Sequence, residues 1–218
     1  MKLSKSSLLI LITYFFIFFL PSILISFFNL GKYYIPIQTL DYLLGAVLLS
    51  TIALQTTELN SIEYGRKPFI NAIFWGVIGL GLVLLLQFII NLLTIASGAS
   101  TTSQNTQTLL TLAKTNSFFI FAITIGAPIM EELVFRKVLF GNLSNLLGWN
   151  NTNLGLVITA LISSLAFAFM HSDGHIILYA SIGLLFCWLY NRTGRIQTSM
   201  ITHMLMNSLI AISAIFMK

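Results

Sequence analysis

Two adjacent glutamates, Glu131 and Glu132, lie in an apolar stretch of a chain that has only six acidic residues. Arg136 follows four residues after Glu132, so an α-helix would place these two charges on one face, where they can neutralise each other. Glu131 lies about 100° further round such a helix and has no partner within the segment. We expect Glu132 and Arg136 to form a structural ion pair and Glu131 to be free to act as a general base. The alternative is that all three mark the polar end of a helix.

A histidine at the end of a second apolar run is the next candidate. The stretch FAFMHSDGH, residues 167–175, places His171 four residues after Phe167, on the same helix face. A lone histidine in such a position is often an interfacial residue rather than a catalytic one. Asp173 and His175 follow in the turn, where we expect them to be solvated.

A third polar pair lies near the C-terminus. The stretch HMLMN places His203 and Asn207 four residues apart, on one face of an otherwise apolar helix. Two hydrogen-bonding side chains on one helix face could bind the same chemical group. The alternative is that they join helices within a membrane, as polar residues commonly do.

The spacing of these residues indicates which of them can meet. Glu131 lies twenty residues before Asn151, which centres the polar turn GWNNTN, and His171 lies twenty residues after it. On antiparallel helices that rise about 1.5 Å per residue, the two side chains reach the same depth. His203 follows the polar break at 191–196 too closely to match that depth on an upright helix. The sequence therefore requires either a tilted helix or a loop that enters the bundle.

The composition predicts that membrane helices position these residues. Of the 218 residues, 57% are hydrophobic and 8% are charged, whereas about a quarter are charged in an average soluble protein. A bilayer-spanning helix needs about 20 mostly apolar residues, and these runs are too long and uniform for the strands of a β-barrel. We predict an all-α, polytopic membrane bundle of about seven transmembrane helices, forming one domain over 1–218. The predicted helices are 7–29, 38–57, 69–96, 117–140, 153–171, 175–190 and 197–216.

Basic residues predict the orientation of this bundle. A cytoplasmic N-terminus puts seven Lys and Arg residues on the cytoplasmic side and three on the other, as the positive-inside rule favours. The Ser/Thr-rich segment 97–108 is predicted to be a flexible loop, and Cys187 to be a buried apolar side chain. The small, dispersed net charge of +5 favours the lipid bilayer as a partner and not nucleic acid. The cytoplasmic residues are Lys2, Lys5, Arg66, Lys67, Lys137, Arg192 and Arg195; the others are Lys32, Lys114 and Lys218.

The three polar motifs, taken in order, resemble a known family. EELVFR matches a Glu-Glu-x-x-x-Arg signature, FAFMH matches Phe-x-x-x-His, and HMLMN matches His-x-x-x-Asn. This combination resembles the CPBP family of intramembrane proteases, named for CAAX proteases and bacteriocin-processing enzymes and also called Abi. The resemblance covers about 115–216, which we take as the catalytic core, and the first half of the chain carries no signature.

The resemblance implies a glutamic-type intramembrane endopeptidase without a cofactor. In that family the first glutamate and the second-motif histidine are held to activate a water, and the third-motif histidine and asparagine to stabilise the oxyanion. The resemblance therefore implies that Glu131 and His171 activate the water and that His203 and Asn207 stabilise the oxyanion. The supporting positions are Glu132, Arg136 and Phe167.

Other functions remain open at this stage. Glu131, His171 and His203 could form a His₂Glu zinc site with an open fourth position, but the helical zinc signature His-Glu-x-x-His is absent, which favours the metal-free mechanism. A non-catalytic immunity or scaffold protein, or a transporter with a proton relay, would keep the same polar groups. For a protease, the resemblance implies a small peptide or a membrane-associated protein as substrate. We expect a multi-pass protein of a bacterial cell membrane, with a role in peptide processing or bacteriocin immunity.

Overall fold

The structure is a computed structural model that describes residues 4–55 and 59–216. This part of the chain folds into nine helices and contains no strand. The sixth helix combines several short α and π segments that follow one another without a break. The helices are α1 Lys5–Phe28, α2 Tyr34–Gln55, α3 Ser61–Tyr64, α4 Phe69–Ala96, α5 Gln104–Thr115, α6 at 119–146, α7 Asn153–His171, α8 Ile176–Thr193 and α9 Ile196–Phe216.

The predicted membrane bundle is confirmed. Each of the seven apolar segments corresponds to one long helix, and within the described residues five helical segments are long and apolar enough to cross a bilayer: Lys5–Phe28, Gly31–Gln55, Phe69–Ala96, Asn153–His171 and Ile176–Thr193. The other two long helices, α6 and α9, carry the polar residues of the motifs. Large apolar side chains on the outer surface, such as Phe27 and Leu54, are more than four-fifths exposed and suit contact with lipid.

Contacts between the helix ends agree with an alternating path through the membrane. At one end, the backbone N–H of Lys67 donates to the carbonyl of Thr193 at 2.9 Å. At the other end, Ser103 donates to Asp173 at 2.6 Å. Each contact joins two connections that the predicted topology places on the same side of the membrane. Which of the two sides is cytoplasmic stays a prediction.

The flexible loop predicted for 97–108 is wrong over its second half, because helix α5 begins at residue 104. Ser103 caps this helix, and its hydroxyl accepts a hydrogen bond from the backbone N–H of Thr106 at 3.0 Å. Ala113 is buried in a cluster with Phe119 of α6. The polar residues interpreted as a loop thus include the start of an amphipathic helix that packs on the bundle.

The turn between α8 and α9 packs against the connection that contains α3. Gly194 has a left-handed φ of 66°, and a Cβ there would lie 2.7 Å from the carbonyl oxygen of Ile62. Arg195 donates through Nε to the carbonyl of Lys67. The connection around α3 therefore covers the turn, while the tilted helix and the loop that enters the bundle both stay predictions.

A buried ion pair that the sequence did not indicate fixes this connection. Lys137 on α6 donates to both carboxylate oxygens of Glu63, at 2.7 and 2.9 Å. Asn60 caps α3 reciprocally with Glu63 and donates to Asn142 at 2.9 Å and to Tyr190 at 2.8 Å. Lys137, which is counted on the cytoplasmic side in the predicted topology, is paired with a carboxylate within the protein.

Candidate active site

All four residues predicted to be catalytic line one cavity of about 190 Å³. Glu131 projects from α6, His171 from the end of α7, and His203 and Asn207 from α9. The equal depth predicted for Glu131 and His171 agrees with this arrangement. The remaining walls are mostly apolar or aromatic, and they include Tyr14, Phe18, Tyr42, Leu109, Phe135, Leu178, Ile182, Met206 and Ile210.

The backbone that carries the glutamates is not a regular α-helix, as the sequence analysis assumed. Ala127–Glu131 is α-helical, but it lies between π-helical segments at Ala122–Gly126 and Glu132–Asn142. π-Helical turns are rare and are frequent at functional sites. Glu131 and Glu132 fall on either side of the change from α to π, which lets the two adjacent carboxylates face different surroundings.

Glu132 is completely buried and has two partners. Its Oε2 lies 3.4 Å from Nε of Arg136, so the predicted ion pair is present. Its Oε1 lies 3.0 Å from Nδ1 of His203, a contact that the sequence did not indicate. A carboxylate only accepts hydrogen bonds, so the proton in this contact belongs to His203. Glu132 thus joins the first motif to the third.

Arg136 is also completely buried, and aromatic rings surround its guanidinium group. Its Cζ lies 4.3 Å from the centre of the Phe167 ring and 5.0 Å from that of Phe186, within the range of cation–π attraction. Its side-chain nitrogens make no hydrogen bond to any described residue. Phe167 therefore supports the site by covering the cation that balances Glu132.

Glu131 keeps its carboxylate available to the cavity. Its side chain is 20% exposed, and its Oε2 lies 3.8 Å from Nε2 of His203, which is too long for a hydrogen bond. Within the part of the chain that the structure describes, no hydrogen bond to this carboxylate is formed. Glu131 has no hydrogen-bond partner among the described residues of its own segment, but His203 of α9 lies close to it.

The tautomer of His171 is fixed by its own helix. Its Nδ1 lies 2.9 Å from the carbonyl oxygen of Phe167, one turn earlier. Because a carbonyl can only accept, Nδ1 carries the proton, and the neutral ring keeps a lone pair on Nε2. The ring stacks on that of Tyr179, with centres 3.9 Å apart and an angle of 26° between the planes.

Asn207 is held by the first π-helical segment of α6. Its Nδ2 donates to the carbonyl oxygen of Ile123 at 2.9 Å. An amide nitrogen carries two hydrogens, so this contact orients the group and leaves one N–H for another acceptor. Asn207 also lines the cavity.

Asp173 and His175 are partly exposed in the turn, but each also has hydrogen-bond partners within the protein. Asp173 accepts hydrogen bonds from the hydroxyls of Ser103 at 2.6 Å and Tyr179 at 3.0 Å. His175 lies 3.1 Å from the carbonyl oxygen of Thr102. Partial burial alone would raise the pKa of Asp173, but hydrogen bonds, first that from Ser103, hold this pKa below its ordinary value. The partners come from the start of α5 and from α8, so the local sequence could not reveal them.

The alternative zinc set of Glu131, His171 and His203 stays a prediction. No group of three His, Cys, Asp or Glu side chains among the described residues is placed to hold one metal ion. Nδ1 of His203 is engaged by Glu132 at 3.0 Å, and its Nε2 faces Glu131 at 3.8 Å. Both ring nitrogens thus face carboxylates.

Comparisons with known proteins find similarity to membrane proteases. The sequence model for the Rce1-like family, type II CAAX prenyl endopeptidases, matches residues 113–209, which contain all three motifs. The chain is 33% identical to the membrane-embedded CAAX protease MroQ of Staphylococcus aureus strain USA300, over 95% of this chain and 88% of that protein. It is 31% identical to YdiL of Bacillus subtilis strain 168, whose name describes a membrane peptidase, over 78% of this chain and 68% of that protein. No solved structure matches the chain with significant similarity.

The helical membrane bundle, the three motifs around one cavity and the family match together identify the protein as a membrane-embedded protease. The chain belongs to the CPBP family of CAAX proteases and bacteriocin-processing enzymes.

Proposed function

We propose that this protein is a metal-free intramembrane endopeptidase in which Glu131 and His171 activate a water molecule. The observation that carries the proposal is the pair of unengaged bases in one cavity. The carboxylate of Glu131 makes no hydrogen bond to a described residue, and the neutral His171 ring has its lone pair on Nε2. Two such acceptors can hold a water and orient its oxygen toward a peptide carbonyl.

In the proposed reaction, Glu131 takes a proton from the water while His171 holds the other hydrogen through Nε2. The water oxygen attacks the peptide carbonyl, and the negative charge moves to the carbonyl oxygen. Glu131 then gives its proton to the amine as the C–N bond breaks, which leaves a free carboxyl and a free amino terminus. Both protons of the water are accounted for in the products.

His203 and Asn207 are suited to stabilise the oxyanion. The free N–H of Asn207 is a neutral donor, since its other N–H is bound to Ile123. His203 in its imidazolium form donates Nδ1–H to Glu132 and presents Nε2–H toward Glu131 and the cavity. Donors held in place before the reaction are the most effective way to stabilise such a charge.

The cavity favours an apolar or membrane-associated peptide as substrate, since most of its walls are apolar or aromatic. The names of two matches describe activity on CAAX proteins, one of them on prenylated CAAX sequences. We propose a small peptide or the terminus of a membrane-associated protein as substrate, in a bacterial membrane. Peptide processing and bacteriocin immunity are two roles that fit this class of enzyme.

Mass spectrometry of peptides incubated with the purified protein tests the proposal. The probes are two sets of synthetic peptides in detergent micelles, one ending in a prenylated CAAX sequence and one unmodified and apolar. We expect cleavage by the wild type that the Glu131→Ala variant lacks, and that persists in the presence of a zinc chelator. Equal cleavage by both proteins would overturn the proposal. Activity that disappears with the chelator and returns with zinc would favour a zinc enzyme with Glu131, His171 and His203 as ligands.

A further inference from the structure

Tyr179 on α8 belongs to none of the three motifs, yet it makes the closest ring contact of His171. The two rings stack with centres 3.9 Å apart and an interplanar angle of 26°. On another side of the imidazole, the ring of Phe167 lies 4.6 Å away at 64°. The hydrogen bond from Nδ1 to the Phe167 carbonyl fixes one ring atom, and the stack fixes the plane of the ring.

The phenol is itself held at its far end. The Tyr179 hydroxyl donates to Asp173 at 3.0 Å and lies 3.0 Å from the Ser103 hydroxyl. Ser103 also donates to Asp173, at 2.6 Å. Tyr179 is only 9% exposed, so both its ring and its hydroxyl are confined. A side chain fixed at both ends can restrict a neighbour, whereas a mobile ring cannot.

We propose that Tyr179 is a positioning residue that holds the His171 ring with Nε2 directed at the water. This inference rests on the proposed function, because it matters for turnover only if His171 acts on the water. The network also links the site to α5, since Ser103 caps that helix and Asn105, Thr106, Leu109 and Leu110 line the cavity.

Three variants separate the parts of this role. Tyr179→Phe keeps the stacked ring and loses the hydrogen bonds to Asp173 and Ser103. Tyr179→Leu keeps an apolar side chain and loses the stack. Ile177→Ala, on the same helix, is the matched control, because Ile177 is 76% exposed on the outer surface.

Turnover of a peptide that the wild type cleaves is the first measurement, normalised to folded protein. Because misplacing a catalytic group by about 1 Å can cost 10²-fold, we expect Tyr179→Leu to lower kcat about 10- to 100-fold with KM little changed. Tyr179→Phe, which keeps the stacked ring but frees its far end, should lower kcat less than Tyr179→Leu does, and Ile177→Ala should match the wild type. A merely structural role would instead lower the amount of folded protein and leave kcat per folded molecule unchanged, which would overturn the inference.

A His171→Gln variant, measured in parallel, separates this inference from the proposed function. If His171→Gln turns over peptide as the wild type does, the proposed function fails. If His171→Gln is impaired but Tyr179→Leu is not, only the present inference fails.

Histidine NMR gives a second readout that needs no substrate. The chain has only three histidines, so selective labelling gives three sets of ring signals, and His171→Gln assigns one of them. We expect the carbon-bound ring protons of His171 to be shifted upfield by the stacked phenol, in the wild type and in Tyr179→Phe, and to move downfield in Tyr179→Leu. Unchanged shifts in Tyr179→Leu would show that the stack does not hold His171 in the folded protein.

Discussion

At the scale of single residues, the buried charges depend on Arg136. Its guanidinium lies against the rings of Phe167 and Phe186, and Nε is 3.4 Å from the Glu132 carboxylate. Without this cation, Glu132 would keep the hydrogen bond from His203 but would have no positive charge of Arg136 to offset its own in a fully buried position. The contact between Glu132 and His203, which joins the first and third motifs, would then contain a buried negative charge without its cation.

We therefore expect Arg136→Ala to lower the free energy of unfolding by about 3–5 kcal/mol, as for other buried pairs that lose one partner. Arg136→Lys should be intermediate, because an ammonium keeps the charge but lacks the planar group that stacks on aromatic rings. Thermal unfolding in detergent measures both, and Arg66→Ala, at an exposed arginine, is the control. An unchanged unfolding temperature for Arg136→Ala would contradict a structural role.

The sequence predicts some of these residue contacts and not others. The pair of Glu132 and Arg136 could be predicted because both residues lie on one helix, four positions apart. The contact between Glu132 and His203 could not, because 71 residues separate the two. Tyr179 belongs to no motif, so no local pattern indicates that it stacks on His171.

At the scale of helices, the position of α9 depends on its close packing against α4. The hydroxyl of Thr202, next to His203, donates to the carbonyl oxygen of Gly76 at 2.9 Å. A Cβ at Gly79 would lie 2.7 Å from a methyl carbon of Leu189 and would also meet the Thr202 hydroxyl. Small residues let membrane helices approach in this way, and here they fix the helix that carries His203 and Asn207.

Gly79→Ala should therefore destabilise the protein by about 1–3 kcal/mol, as overpacking does in other cores, and should lower turnover by displacing α9. Gly81→Ala is a closely matched control, since a Cβ there would meet no atom within 4 Å. Thermal unfolding and peptide turnover are compared for the two variants. If Gly79→Ala and Gly81→Ala behave alike, α9 is not held by this contact.

The sequence predicts the long apolar helices that contact lipid, but it does not predict α5 or the π-helical segments of α6. Long apolar runs must be helical in a bilayer, because no water is present to satisfy the backbone. Helix α5 was missed because it is short and polar, and its start at Ser103 was interpreted as a loop. The π-helical segments of α6 were missed because the residues of 122–142 carry no local signal that separates π turns from α turns.

At the scale of the whole molecule, labelling of introduced cysteines tests the predicted orientation in the membrane. Cys187 is the single cysteine of the chain and is buried as predicted. A cysteine introduced at the surface would therefore be the thiol that a labelling reagent reaches. Ser100, after α4, and Tyr64, in α3, are both exposed and belong to connections on opposite sides of the predicted topology.

We expect Ser100→Cys to react with a membrane-impermeant maleimide in intact cells, and Tyr64→Cys to react only after lysis. The physical reason is the excess of Lys and Arg that the predicted topology places on the cytoplasmic side. The reverse pattern would show that the N-terminus is outside the cell. Unmodified wild type measures any reaction of Cys187.

The central claim is that Glu131, and not its neighbour, is the base. Glu131→Gln keeps the size of the side chain and breaks no hydrogen bond to a described residue, so the fold should persist while turnover falls on the order of 10²–10⁴-fold. Glu132→Gln keeps an oxygen that can accept from His203 but removes the charge that pairs with Arg136. It should mainly lower stability and reduce turnover per folded molecule much less.

The most direct measurement is the turnover of one peptide by these two variants and the wild type, each normalised to folded protein. The account predicts that Glu131→Gln is nearly inactive while Glu132→Gln retains most of its turnover. Near wild-type turnover by Glu131→Gln would contradict the assignment of the base and the mechanism built on it.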